Sequence, residues 1–279
     1  MSPDYSLHEL CAALGVTHTG YHAWARRVPG QRAQANAALL PLIAQAHEES
    51  RQTYGSPRIR RWLQDRGQRC GRMRVARLMR QAGLTHRLRR RFRPVSLTDS
   101  DHDLPIAPNH LLPRQPTVKP DAVWVADITY VPTAEGWLYV AGVLDRCSRR
   151  CIGWAMGDSL ATPLPLAALD MALQHRRPPA GLVHHSDQGV QYASAAYRQR
   201  LAQAGVIPSM SRRGNCYDNA LMESFWSTLK RELVHRFEFA TRDQARTAIF
   251  EWIEVFYNRE RFHSALGYQS PVDFETKLN

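Results

Sequence analysis

The chain has 279 residues, 44% of them hydrophobic, and a formal net charge of +12. That length and apolar content suit one large core or two domains of ordinary size and exclude a disordered tail. No apolar run reaches the roughly 18 residues that mark a membrane span, and the opening MSPDYSLHEL has neither a basic nor an apolar leader region, so a cytoplasmic protein without a membrane partner is expected.

The first elements read as helices. In SLHELCAALGVTHTGYHAWARR, Leu7, Leu10 and Leu14 recur at helical spacing, Gly15 breaks the pattern, and Thr17 caps a second helix carrying Tyr21 and Trp24. After ALLPLIAQAHEES comes TYGSPRIRRWLQDRG, where Ser56 is placed to cap, Pro57 to open the helix and Gly67 to end it. A further helix runs near Arg72 to Ala82, with Val75, Leu78 and Met79 inward and Arg72, Arg74, Arg77 and Arg80 over the remaining surface.

The charge is concentrated there. Between Arg51 and Arg93 stand fifteen arginines against one acid, Asp65, so this segment holds the whole positive excess and the rest of the chain is slightly acidic. Guanidinium groups bind phosphate bidentately and release condensed counterions, so a small basic helical unit fits a helix-turn-helix that contacts DNA. Arg58, Arg60, Arg61, Arg72, Arg74, Arg77 and Arg80 are its expected contacts. Six prolines between Pro94 and Pro120 then mark a linker.

The second half changes character. VWVADITYV, GWLYVAGVLD and RCIGWAMGD are β-branched and aromatic runs separated by turn residues, which predicts an antiparallel meander. A helix over PLPLAALDMALQHR leads to a short strand, GLVHHSD. A helix near Ser194 to Ala204, a strand at Gly205 to Pro208 and a long helix from about Asp218 to Arg236 follow. In that order of elements Asp127 lies mid-strand, Asp187 just past the fourth strand and Glu223 early in the long helix, so the three acids converge at one edge of the sheet.

WVADITYV, HSDQGVQY and GNCYDNALMESFWSTLKRE, with 35 residues between Asp187 and Glu223, closely resemble the DDE motifs of bacterial insertion-sequence transposases. The resemblance is to the second-reading-frame type of the group numbered three, whose catalytic core is related to that of retroviral integrases. HEESRQTYGSPRIRRWL resembles the family's helix-turn-helix region, and FYNRERFHSALGYQSPVDFE its C-terminal signature.

The resemblance implies an α/β fold. A ribonuclease H-like catalytic core, with a mixed five-stranded sheet and flanking helices, would follow an all-α helix-turn-helix region. The expected divisions are a helix-turn-helix-like segment at 1–35, a basic DNA-binding region at 36–93, a linker at 94–120, the core at 121–236, and a helix with a basic tail at 237–279. The implied activity is metal-dependent DNA cleavage and strand transfer at element ends. Asp127, Asp187 and Glu223 would be the catalytic residues and would hold Mg2+ or Mn2+, two ions per site, because carboxylates are the hard oxygen donors these ions take. Water attacks first to free a 3′ hydroxyl, which then attacks a second phosphodiester.

On the long helix Asn219, Glu223, Ser227 and Lys230 share one stripe, and Met222, Phe225, Trp226, Leu229 and Leu233 another. Asn219 and Lys230 are therefore expected at the DNA, Lys230 occupying the family's basic position seven after the glutamate, while Asn215, Asp218 and Asn219 shape the preceding loop and cap the helix. Arg259, Arg261 and His263 are plausible phosphate contacts or part of a solvated tail; His184 and His185 orient substrate or pack. Asp145 reads as a turn former, and the five cysteines as reduced packing thiols. Pro116 departs from the aromatic residue expected there in relatives.

Implied partners are double-stranded DNA (terminal repeats and target), further copies of the chain on DNA, and an upstream-frame helix-turn-helix protein, separate or fused. The implied setting is the bacterial nucleoid. A catalytically decayed DNA-binding regulator and a nuclease that only hydrolyses are the competing readings.

Overall fold

A computed structural model describes residues 5–26, 28–84, 102–111, 117, 119–212 and 219–278. The linker positions Pro94, Pro113 and Pro116, and the loop residues Asn215, Cys216 and Asp218, lie outside the described residues. The chain forms two compact units, Met1–His86 and Arg87–Asn279.

The first unit is helical. Helix α1, Leu7–Ala13, opens on a capping box in which the Ser6 hydroxyl accepts from the Glu9 amide and the Glu9 carboxylate accepts from the Ser6 amide. Gly15, at φ +69°, turns the chain into α2, His18–Ala25, capped by Thr17 as expected. Helix α3, Gln31–Glu49, runs through the expected junction at residue 35. It packs with α4, Ser56–Asp65, and α5, Arg72–Gln81, around Leu39, Ile43, Ile59, Trp62, Leu63, Val75 and Leu78. The cap of α4 falls on Gly55 instead of Ser56, because Ser56 has already entered the helix and its hydroxyl makes no cap bond.

The second unit is built on a five-stranded sheet ordered β3-β2-β1-β4-β5. Strands β1, Val123–Thr133, β2, Gly136–Asp145, and β3, Cys151–Gly157, form the antiparallel meander; Gly136, at φ +102°, supplies the first turn. Asp145 organises the second turn, its buried carboxylate accepting from the Ser148 and Asp121 amides. Helix α6, Pro163–Arg176, then leads to β4, Val183–Ser186, parallel to β1. Helices α7, Val190–Ala193, and α8, Ala195–Gln203, precede β5, Ile207–Met210, parallel to β4, and α9, Ala220–Glu232, follows. This is the order of the ribonuclease H-like core.

Alternation along the strands gives each face its own helices. Trp124, Ala126, Ala141 and Val143 share a core with Ala168, Leu169 and Ala172 of α6. The opposite face carries Val125, Val131, Leu138, Val140 and Leu144, all buried, with Asp127 among them in sequence. Gly153 lets α6 approach closely, since a Cβ there would stand 2.2 Å from the Ala168 carbonyl oxygen. Backbone cannot yield as a side-chain tip does, so Gly153→Ala is expected to destabilise the protein by about 1–3 kcal/mol, read from denaturant unfolding. A midpoint unchanged from wild type would refute this close packing.

Two segments differ from their sequence reading. Residues 102–111, inside the expected linker, are strapped to the core: Leu104 and Ala107 pack on it, His102 donates from Nε2 to the Gln188 carbonyl at 2.8 Å, and the His110 amide donates to the Ser209 hydroxyl at 2.9 Å. Residues beyond 236, read as a helix and basic tail, instead fold as α10, Arg242–Glu251, a π-helix, Trp252–Glu260, and α11, Pro271–Leu278. Asn258 of the π-helix exchanges two hydrogen bonds with the Cys151 backbone on β3 (3.0 and 2.9 Å). The cysteines described are free thiols.

Candidate active site

Asp127 sits mid-β1, opposite Gly142 of β2. Its carboxylate accepts from the Trp226 indole Nε1 of α9, at 3.1 Å from Oδ2, and from the Ile128 amide. Burial pushes its pKa up to about 8, and the neighbouring carboxylates of Asp187 and Glu223 push the same way. Two acids distant in sequence therefore lie near enough to act on Asp127 electrostatically.

Asp187 follows β4 directly, and its Oδ1 accepts from the Gly189 amide at 3.0 Å. A Cβ on Gly189 would stand 3.0 Å from that same Oδ1, so glycine preserves the turn that presents the carboxylate. Glu223 lies exposed in the first turn of α9. Lys230 is half-buried two turns along the helix, its Nζ 4.6 Å from the Tyr130 ring centre. Burial lowers its pKa while the nearby Asp127 charge opposes that shift.

Asp187 and Glu223 bear on Asp127, but the three carboxylates do not form a closed ligand shell. Among the described residues no group of three or more His, Cys, Asp or Glu side chains has the spacing to hold a metal ion. The donor chemistry nevertheless fits a divalent cation: carboxylate oxygens are hard donors, and a nearby positive charge would favour the ionised Asp127 that burial and its neighbours disfavour.

Several expected contacts lie elsewhere. Asn219 is buried, and instead of capping α9 or facing DNA it donates from Nδ2 to the Ala126 carbonyl at 3.2 Å, fastening the helix start to β1 beside Asp127. Arg261 is buried in a two-bond ion pair with Glu232, and His263 is buried edge-on against Tyr257, so neither faces phosphate; Arg259 is exposed. His184 and His185 are buried and bonded to Tyr197 and Ser209, and burial lowers the His184 pKa to about 3, leaving it neutral.

In the helical unit Arg60, Arg72 and Arg80 are exposed, Arg60 also reaching the Cys70 carbonyl. Arg61 pairs with Asp65, Arg74 donates to Asn36, Arg58 lies over Tyr54, and Arg77 is half-buried. Sequence periodicity assigned Trp226 to the apolar stripe, where it does pack, but gave no sign that its indole N–H reaches an acid 99 residues away.

Comparisons with known proteins agree with this architecture. Integrase core domain models match residues 117–216 and 204–271, and an HTH-like domain model matches residues 34–92. The chain is 46% identical to the insertion element IS600 uncharacterized 31 kDa protein of Shigella sonnei, over 97% of this chain and 98% of that one. It is 38% identical to the transposase InsF for insertion sequence IS3A of Escherichia coli strain K12, over 98% and 95%. A solved intasome of simian T-cell lymphotropic virus in complex with the PP2A regulatory subunit B56 gamma aligns at TM-score 0.49 and 13% identity, over 79% of this chain and 74% of that one. The chain's 46% and 38% identity to the two insertion-element proteins over nearly its full length, together with the HTH-like and integrase core domain matches, shows that it belongs to the bacterial transposases of the IS3 type.

Proposed function

We propose that the protein cleaves DNA at the ends of an insertion sequence and joins the freed strand to a target, with Asp127, Asp187 and Glu223 holding two Mg2+ or Mn2+ ions. The observation that carries this reading is the half-buried Asp127 carboxyl in the middle of β1, with two acids from separate elements near enough to push its pKa in the same direction as burial does. Such crowding of like charge is unfavourable for folding alone and is typical of sites that perform chemistry.

The bound ions would supply charge neutralisation at the phosphodiester and activation of the attacking oxygen. The chain's own residues set the geometry. The Gly189 amide orients Asp187, Asn219 fixes the start of α9 against β1, and Lys230 presents an ammonium beside Asp127, where it meets a phosphate of the same strand. No protein nucleophile is required. Each step exchanges one phosphorus–oxygen bond for another, first with water and then with the 3′ hydroxyl.

The test is a labelled terminal-repeat duplex incubated with the protein and Mg2+ or Mn2+, followed on a strand-transfer gel. Cleaved and joined products are expected, both abolished by chelator. Nicks without joining would show a nuclease, and binding without cutting a regulator; either result overturns the proposal.

The exposed arginines of α5 supply the backbone contacts. Arg72→Gln and Arg80→Gln are each expected to weaken binding to any duplex and to lower the slope of log affinity against log salt by about 1, measured by fluorescence anisotropy. An unchanged slope in both would remove α5 from the interface.

A further inference from the structure

Resting on that reading, we propose that Trp226 is a positioning residue: its indole N–H fixes the Asp127 carboxylate for divalent-ion binding, and Gly142 is the seat that allows it to do so.

Three placements carry this. The Trp226 indole nitrogen lies 3.1 Å from Asp127 Oδ2, so one carboxylate oxygen is engaged by a donor that cannot leave without moving the ring. The ring itself is held. Trp226 is 5% exposed and lies tilted against Phe225 at 4.7 Å between centres, and Phe225 in turn packs on Trp252 and Tyr257. Finally, the residue paired with Asp127 across the strands is Gly142, where a Cβ would stand 2.9 Å from Trp226 Cη2 and 3.2 Å from Cζ2.

A larger residue at 142 would lift the indole off the sheet and away from the acid. The absent side chain, the fixed ring and the oriented carboxylate form one chain of contacts from β2 through α9 to β1. Donors that hold a ligating carboxylate fix the direction of its free lone pairs, and losing such a partner typically weakens metal affinity about 10–100-fold. An aromatic residue serving only to fill the core would need no donor and would not end at the acid.

The experiment measures Mn2+ binding directly, by electron paramagnetic resonance titration of the full chain at a temperature where every variant is folded. Trp226→Phe keeps an aromatic ring and removes the donor. Benzothienylalanine incorporated at position 226 keeps the bicyclic shape as well, separating loss of the N–H from loss of packing. Both are expected to weaken Mn2+ binding by about tenfold or more.

In cleavage assays both should raise the Mn2+ concentration needed for half-maximal rate, with much of the rate recovered at saturation. Gly142→Ala should weaken Mn2+ binding too, and should add little when combined with Trp226→Phe, because the indole it displaces is already gone.

Mn2+ affinity equal to wild type in both Trp226 variants overturns the proposal. Asp127→Asn separates the two levels of inference. If it loses Mn2+ while the Trp226 variants keep it, only the positioning role fails. If Asp127→Asn binds as wild type does, the metal site fails and the role of Trp226 with it.

Discussion

Asp187→Asn is expected to leave the protein folded and bound to its terminal repeat while reducing metal-dependent cleavage by about a thousandfold or more. An amide carries no charge for a cation, and metal-supplied stabilisation of several kcal/mol converts, at 1.36 kcal/mol per tenfold, to roughly that factor. The local turn should survive, because the asparagine oxygen can still accept from the Gly189 amide now bonded to Asp187 Oδ1. Cleavage of a labelled repeat and a mobility-shift assay on the same preparation give the two quantities. Wild-type cutting by the variant would remove Asp187 from the site; loss of binding as well as cutting would assign it to folding.

Glu232→Ala is expected to cost about 3–5 kcal/mol of stability, because it removes the carboxylate that neutralises a buried guanidinium. Arg261 makes both of its 2.7 Å bonds to this one carboxylate, and the two side chains are 5% and 7% exposed. Replacing both partners, Glu232→Leu with Arg261→Met, should recover most of the loss, since two well-packed apolar groups need no mutual neutralisation. Urea unfolding of the three proteins measures this, and a Glu232→Ala midpoint near wild type would show that the pair is solvated. The folded double variant should also keep the wild-type salt dependence of DNA binding, because Arg261 is spent on Glu232.

Much of the architecture was legible in the sequence for local reasons. The three β-branched runs had turn residues between them and became β1 to β3, and Met222, Phe225, Trp226 and Leu229 became the buried side of α9, with Leu233 buried at its C-cap. The acids stood out through the spacing and neighbours of their motifs. Tertiary pairing was not legible. A basic residue such as Arg261, in a polar stretch, reads as solvated until folding brings Glu232 to it from 29 positions away. Asn219 reads as a cap because its residue type and place invite it, and only the approach of β1 offers its amide the Ala126 carbonyl. Proline content marked 94–120 as a linker, but it does not register that His102 and His110 have partners in the core.

The sheet's two rims are β3 and β5, and β3 carries a side-chain stopper at its first residue. At Cys151 the Asn258 side chain already engages both the backbone donor and the backbone acceptor, whereas at Ser209 the His110 amide bonds the side-chain hydroxyl. Unsatisfied strand edges invite other chains to zip onto them. A neighbouring chain is thereby discouraged from extending the sheet at that point of β3.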